Sequence, residues 1–244
     1  MKRFLCALLP MLASAQRSTP PVVQQLDARR ARSTTTALLT TAGKDTFCLE
    51  QYSRNGNVIT GTWVVLHPPG VYVHDYVITL GNDGLPARYT MKYSVPSEAT
   101  PQRLDSLSVV YGRDSARLEF FLRDSSFTRR IPIHEGFPML GQSFVGIELA
   151  LERLRGMHVD SSTIALHPPS DPAGHMSLAP VRFYAGDSAN VDGARVHVAP
   201  DGSILGLRWG SRELRRVAPF DMASLVSGFV KAFARRAPSD YQGH

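Results

Sequence analysis

Eleven residues, LPARYTMKYSV (85–95), alternate with a period of two. Leu85, Ala87, Tyr89, Met91, Tyr93 and Val95 fall on one side, and Arg88, Thr90, Lys92 and Ser94 on the other. Successive side chains of a strand point to opposite faces, so this stretch reads as a strand with one buried and one solvated face. Its neighbours keep the same rhythm. STTTALLTT (33–41) is rich in β-branched residues, and DTFCLEQYS (45–53) runs to Asn55-Gly56, a strong hairpin signal. NVITGTWVVL (57–66) stops at Pro68-Pro69, and VYVHDYVITL (71–80) ends at the turn residues GNDG. Strands follow at 104–112, 115–123 and 126–133, and again at 162–167, 178–185 and 194–209, the last split by a Pro200-Asp201-Gly202 turn.

Two segments change period. In GQSFVGIELALERLRG (141–156), Phe144, Ile147, Leu151 and Leu154 recur at three and four, with Ser143 placed to cap the helix start and Gly156 its end. In PFDMASLVSGFVKAFARR (219–236), Met222, Leu225, Val226, Phe229, Val230 and Phe233 form one apolar stripe, with Asp221 at the start and Lys231, Arg235 and Arg236 at the end. The expected fold is mainly β (α+β). It is a single antiparallel, strongly curved sheet or part-open barrel of about ten strands, with a mid-chain and a C-terminal helix covering an open face.

The N-terminus bears on compartment. MKRFLCALLPMLASA (1–15) has basic residues, a short apolar run and a small-x-small ending, the layout of a secretory signal peptide. The expectation is an exported protein, periplasmic or secreted, with a flexible leader or short helix at 16–32, one β-rich domain over 33–236 and a disordered tail at 237–244. Removal of Lys2 and Arg3 takes the net charge from +6 to +4, and removal of Cys6 leaves Cys48 without a disulfide partner. That mild, scattered excess is not a nucleic-acid footprint. The arginine clusters at 29–32, 129–130, 212–216 and 235–236 read as solvated, or as contacts to an anionic membrane surface.

Chemistry-bearing patterns are sparse. GQSFVG (141–146) misses the Gly-x-Ser-x-Gly spacing by one residue, and HEGFP (134–138) has proline where a zinc motif needs its second histidine. The eight histidines show no metal-ligand spacing, and neither a metal nor a cofactor is implied. LHPP occurs at 66–69 and 166–169, but the flanks do not repeat. Each copy reads as a strand exit, with His67 and His167 partly exposed. Asp75 shares a strand face with Val71, Val73 and Val77, so it must be solvated, paired or raised in pKa.

The expected ligand-binding residues are therefore Trp63, Tyr72, His74, Asp75, Tyr76, Tyr89, Met91 and Tyr93, an aromatic and methionine-bearing face able to enclose an apolar or lipid-like ligand under a helical lid. On those residues, carried by hairpin-connected strands behind an export signal, the chain resembles the periplasmic lipoprotein-carrier and outer-membrane lipoprotein-receptor superfamily. The resemblance spans roughly 33–236 and is architectural. It implies an open β-barrel, helices over its mouth and acyl chains in its cavity, and assigns no functional residue. The β section at 104–133 and the leader have no counterpart in that pattern. Two alternatives stand beside it: a structural or partner-binding envelope protein, and a hydrolase using Asp75 or the His134/Glu135 pair at a pocket.

Overall fold

The structure, a computed structural model, describes residues 34–67, 70–96, 106–122, 124–133, 135–139, 143–169, 171, 175–184 and 186–234. The expected signal peptide (1–15), leader (16–32) with its arginine cluster, and tail (237–244) lie outside the described residues, as do His134 and the Arg235-Arg236 pair.

Hairpins dominate the chain, and the sheet records this. Its strands are β1 (Thr34–Ala42), β2 (Asp45–Asn55), β3 (Val58–His67), β4 (Gly70–Leu80), β5 (Pro86–Ser94), β6 (Ser106–Tyr111), β7 (Ser115–Leu122), β8 (Ser125–Pro132) and β9 (Gly136–Pro138), then β10 (Ser161–His167), β11 (Ser177–Phe183), β12 (Ser188–Val191), β13 (Ala194–Val198), β14 (Ile204–Trp209) and β15 (Arg212–Val217). Helix α1 (Val145–Gly156) falls between β9 and β10, and α2 (Met222–Ala234) follows β15. All fifteen strands form one sheet ordered β8-β7-β6-β5-β4-β3-β2-β1-β15-β14-β13-β12-β11-β10-β9. Pairing β1 with both β2 and β15 makes the order a circular meander. It stays open because β8 and β9, consecutive in the chain, are the two free edges. Every pairing is antiparallel except β9 with β10, where α1 is the crossover that a parallel pair requires.

The architecture is thus an open, β-barrel-like antiparallel sheet with two helices, as expected, but with more strands than the sequence rhythm gave. Three short strands escaped. β9 has three residues, β12 has four, and β15 (RELRRV) carries too many arginines to read as a strand.

Neither helix is a lid. Nine of the twelve α1 residues are buried, Glu148 among them. They join the inner faces of strands from β1 to β15 in one core cluster that includes Ile59, Tyr76, Tyr89, Leu118, Val181 and Leu207. Helix α1 therefore fills the concavity instead of covering it. It is seated closely, since a Cβ on Gly146 would lie 1.8 Å from the Pro138 carbonyl oxygen. Gly146→Ala should cost about 1–3 kcal/mol, because the clash is with rigid backbone. A urea midpoint equal to that of the parent would refute the seating. Helix α2 lies on the convex side, where Met222, Leu225, Val226, Phe229 and Val230 pack on Leu49, Val64, Leu66 and Val71. These strands are covered on both faces, which is why VVL and VYV break the alternation seen in β5.

The expected helix caps also change. The α1 N-cap is Phe144, with no side-chain cap of its own. Gly156 lies within the helix, and the left-handed residue beyond its end is His158 (φ 55°).

Candidate functional site

The strand registers decide which of the expected residues meet. Trp63 lies opposite His74, and His74 opposite Tyr93, while Tyr76 is opposite Met91 and Ile78 opposite Tyr89. Directly paired residues share a face. Trp63, Tyr72, His74, Tyr76, Tyr89, Met91 and Tyr93 therefore all point into the concavity. Asp75 does not. It lies on the convex face, exposed, and accepts a hydrogen bond from Thr62 Oγ1 at 2.6 Å. Solvation and one hydroxyl answer the problem its neighbours posed, and it is separated from the other seven by the thickness of the sheet.

The inner-face seven divide in two. Tyr76, Tyr89, Met91 and Trp63 are buried at 0–6% exposure and packed as core. Tyr72, His74 and Tyr93 are half-buried. The rings form a row: Trp63 to His74 at 4.2 Å between centroids, His74 to Tyr93 at 4.8 Å, and Tyr93 stacked on Tyr72 at 6.3 Å. Burial holds His74 down at about 4, against a hydrogen bond to the Trp63 backbone and the charge of Asp75, so the imidazole in this row is neutral. Trp63 donates through Nε1 to Cys48 Sγ at 2.8 Å. Burial, reinforced by Glu50, pushes the Cys48 thiol up and keeps it from being a reactive thiolate.

One of the most heavily hydrogen-bonded inward-facing groups is one the sequence reading missed. Glu50 is 1% exposed. Its Oε1 accepts from Tyr76 Oη at 2.8 Å and Ser143 Oγ at 2.6 Å, and its Oε2 accepts from the Phe144 N–H at 2.7 Å. The carboxylate of β2 thus caps α1, in the place expected for Ser143, where the helix dipole favours negative charge. Burial of the charge outweighs its three donors and raises the Glu50 pKa. Gly61 makes the arrangement possible. A Cβ there would come within 2.5 Å of the Tyr76 ring, which crosses β3 at that point to reach Glu50. A glycine inside a strand pattern signals such close approach, and Gly61 was the available clue.

One turn along α1, Glu148 makes a second junction. It accepts from Tyr52 Oη, from the Ile204 N–H at 2.8 Å and from Arg216 Nη2 at 2.5 Å. Arg216 also donates to the Ile204 carbonyl at 2.7 Å and to Thr36 Oγ1 at 2.8 Å. So Arg216 is not a solvated member of a basic cluster. It ties β15, β14 and β1 to the helix. Arg54 and Glu152 add an ion pair at 2.9 Å. Beside this network a cleft of about 320 Å³ is lined by Thr34, Thr36, Arg54, Glu152, Ser203 and Arg216. Burial and the neighbouring carboxylates push the Tyr52 and Tyr76 phenols up, so both remain protonated donors. The hydrogen bonds of this network tie α1 to β2, β14 and β15, and through Arg216 to β1. Three carboxylates, Glu148, Glu152 and Asp201, line the cleft beside it.

The remaining candidates are dispersed. Glu135 is an exposed residue in left-handed conformation (φ 46°), 3.5 Å from Arg153. His167, expected to be partly exposed, is fully buried. Among the described residues no three His, Cys, Asp or Glu side chains gather to hold a metal ion.

No family model matches the sequence, and no curated protein matches it. Among solved structures, a β-barrel-like protein of domain of unknown function DUF1849 from Brucella abortus superposes with a TM-score of 0.47 at 11% identity, over 77% of this chain and 98% of that one. A DUF1089 family protein from Pseudomonas aeruginosa gives a TM-score of 0.45 at 12% identity, over 67% of this chain and 90% of that one.

Proposed function

We propose that this is a non-catalytic binding protein of the cell envelope, which holds an apolar or lipid-like ligand against the aromatic end of its concave face. The observation that carries the reading is the half-exposure of Tyr72, His74 and Tyr93. Inward-facing rings in a filled core are buried, as Tyr76 and Trp63 are. Inward-facing rings that still meet solvent line an opening. Because α1 fills the rest of the concavity, the ligand is gripped at the mouth and does not lie along the axis, unlike the acyl chains implied by the lipoprotein-carrier resemblance. The charge pattern and small-x-small ending of residues 1–15 support export.

A second reading, a partner-binding envelope protein, is favoured by α2. None of its residues with a described side chain is fully buried, so its hold on the convex face is the weaker of the two helix seats.

The binding reading is tested with a fluorescent fatty-acid probe and the exported protein. The probe should bind, and Tyr72→Ala and Tyr93→Ala should each weaken it by about tenfold, the share of one partly buried ring. A protein that carries no lipid in native mass spectrometry and binds no probe would leave the partner-binding reading in its place.

A further inference from the structure

Tyr89 on β5, Tyr111 at the end of β6 and His167 at the end of β10 converge in the interior away from the aromatic mouth. Tyr89 is paired with Val109, so Tyr111 is its diagonal neighbour on the same face. The Tyr111 and His167 rings meet edge to face, 6.4 Å between centroids. Both phenol oxygens and both imidazole nitrogens are buried without a hydrogen-bond partner, and Tyr89 and His167 are each 0% exposed. Proteins rarely leave one such group unpaired, and four in one place point to something that pairs them. Immediately outside, a cleft of about 600 Å³ opens between the β4–β5 turn, the β6–β7 turn and β9, lined by Leu85, Pro86, Tyr111, Ile133 and Gly136, with Tyr89 and His167 behind its lining. That volume lies within the range of small-molecule sites.

We propose that Tyr89, Tyr111 and His167 form the polar end of a site for a small, uncharged polyhydroxyl compound, which enters from this cleft when the Tyr111 ring turns aside. The donor and acceptor inventory selects the class. Each phenol can donate and accept, and a neutral imidazole offers one donor and one acceptor. Hydroxyl groups, which also do both, satisfy all four atoms. An ammonium would need a carboxylate among the three groups, and a carboxylate ligand would need a cation there. The set has neither. At the rim, Arg113 stands with Asp83 and Glu135, so no single sign of charge guards the entrance.

The test uses the full chain with glycerol, erythritol and glucose, read by saturation-transfer NMR and calorimetry. At least one should bind. Tyr89→Phe and Tyr111→Phe should each weaken it by about tenfold, the weight of one neutral hydrogen bond. Tyr72→Ala should leave this binding unchanged, which separates the site from the aromatic mouth. The melting temperatures of the unliganded phenylalanine variants should not fall, because each removes a hydroxyl with no partner. The proposal is overturned if none of the three compounds binds, or if neither substitution weakens binding. It is equally overturned if both variants melt lower, which would show the hydroxyls already paired by internal water.

Discussion

Glu50→Ala is expected to lower folding stability by about 3–5 kcal/mol, the summed cost of leaving three buried donors without an acceptor. The substitution leaves the Tyr76 hydroxyl, the Ser143 hydroxyl and the Phe144 N–H without their shared acceptor. It also takes away the cap that holds the first turn of α1 inside the sheet. Glu50→Gln keeps the shape and one acceptor oxygen, so about 1–2 kcal/mol is expected. Urea unfolding followed by circular dichroism measures both. A loss below about 0.5 kcal/mol for alanine would show that the helix is held by apolar packing alone. The two variants also differ from the parent in pH response. A carboxyl held above its unfolded value keeps its proton longer in the folded state. Its contribution is therefore favourable at low pH and fades as pH rises through the ordinary carboxylate range to the folded value. Glu50→Gln should remove that part of the pH slope.

Acidification should act in the opposite direction through His74 and His167. Burial holds each at about 4, against an ordinary value near 6.5. The unfolded chain takes up protons that the folded chain refuses. The stability tied to neutral imidazoles is thus complete above about pH 6.5 and lost progressively as pH falls towards 4, by up to about 3 kcal/mol per histidine. Since Glu50 gains as these two lose, the net acid sensitivity is smaller than their sum. His74→Phe and His167→Phe should each flatten the decline in urea midpoint between pH 7 and pH 4.5, and the double variant should flatten it most. Identical slopes in parent and double variant would place both imidazoles in water.

The strands that were legible in the sequence are those with one solvated face. LPARYTMKYSV alternates because water covers one side of β5 and the core the other. The Asn55-Gly56 turn and the Pro200-Asp201-Gly202 turn declare their hairpins locally, since the backbone they require is written in two or three residues. The same parity set Asp75 apart from its neighbours and put Trp63, Tyr72, His74, Tyr76, Tyr89, Met91 and Tyr93 on one side. What parity does not reveal is depth. Tyr72 and Tyr76 lie on the same face four residues apart, yet one meets solvent and the other is core, because α1 lies over only part of the concavity.

Glu50 stood in the chain with the same credentials as Asp75, an acidic residue on an apolar face between Cys48 and Tyr52. It found three donors from β4 and from residues 143–144, and Asp75 found water. Arg216 likewise reads as one of a run of surface arginines until Glu148 arrives from α1. The sequence by itself determined the strand periods, the turns and which residues share a face, because these follow from backbone geometry over a few neighbours. Tertiary structure alone decided which side the helices take, which carboxylate is buried and where the concavity stays open. Those outcomes depend on contacts between residues 26 to 180 positions apart, and no local pattern encodes them.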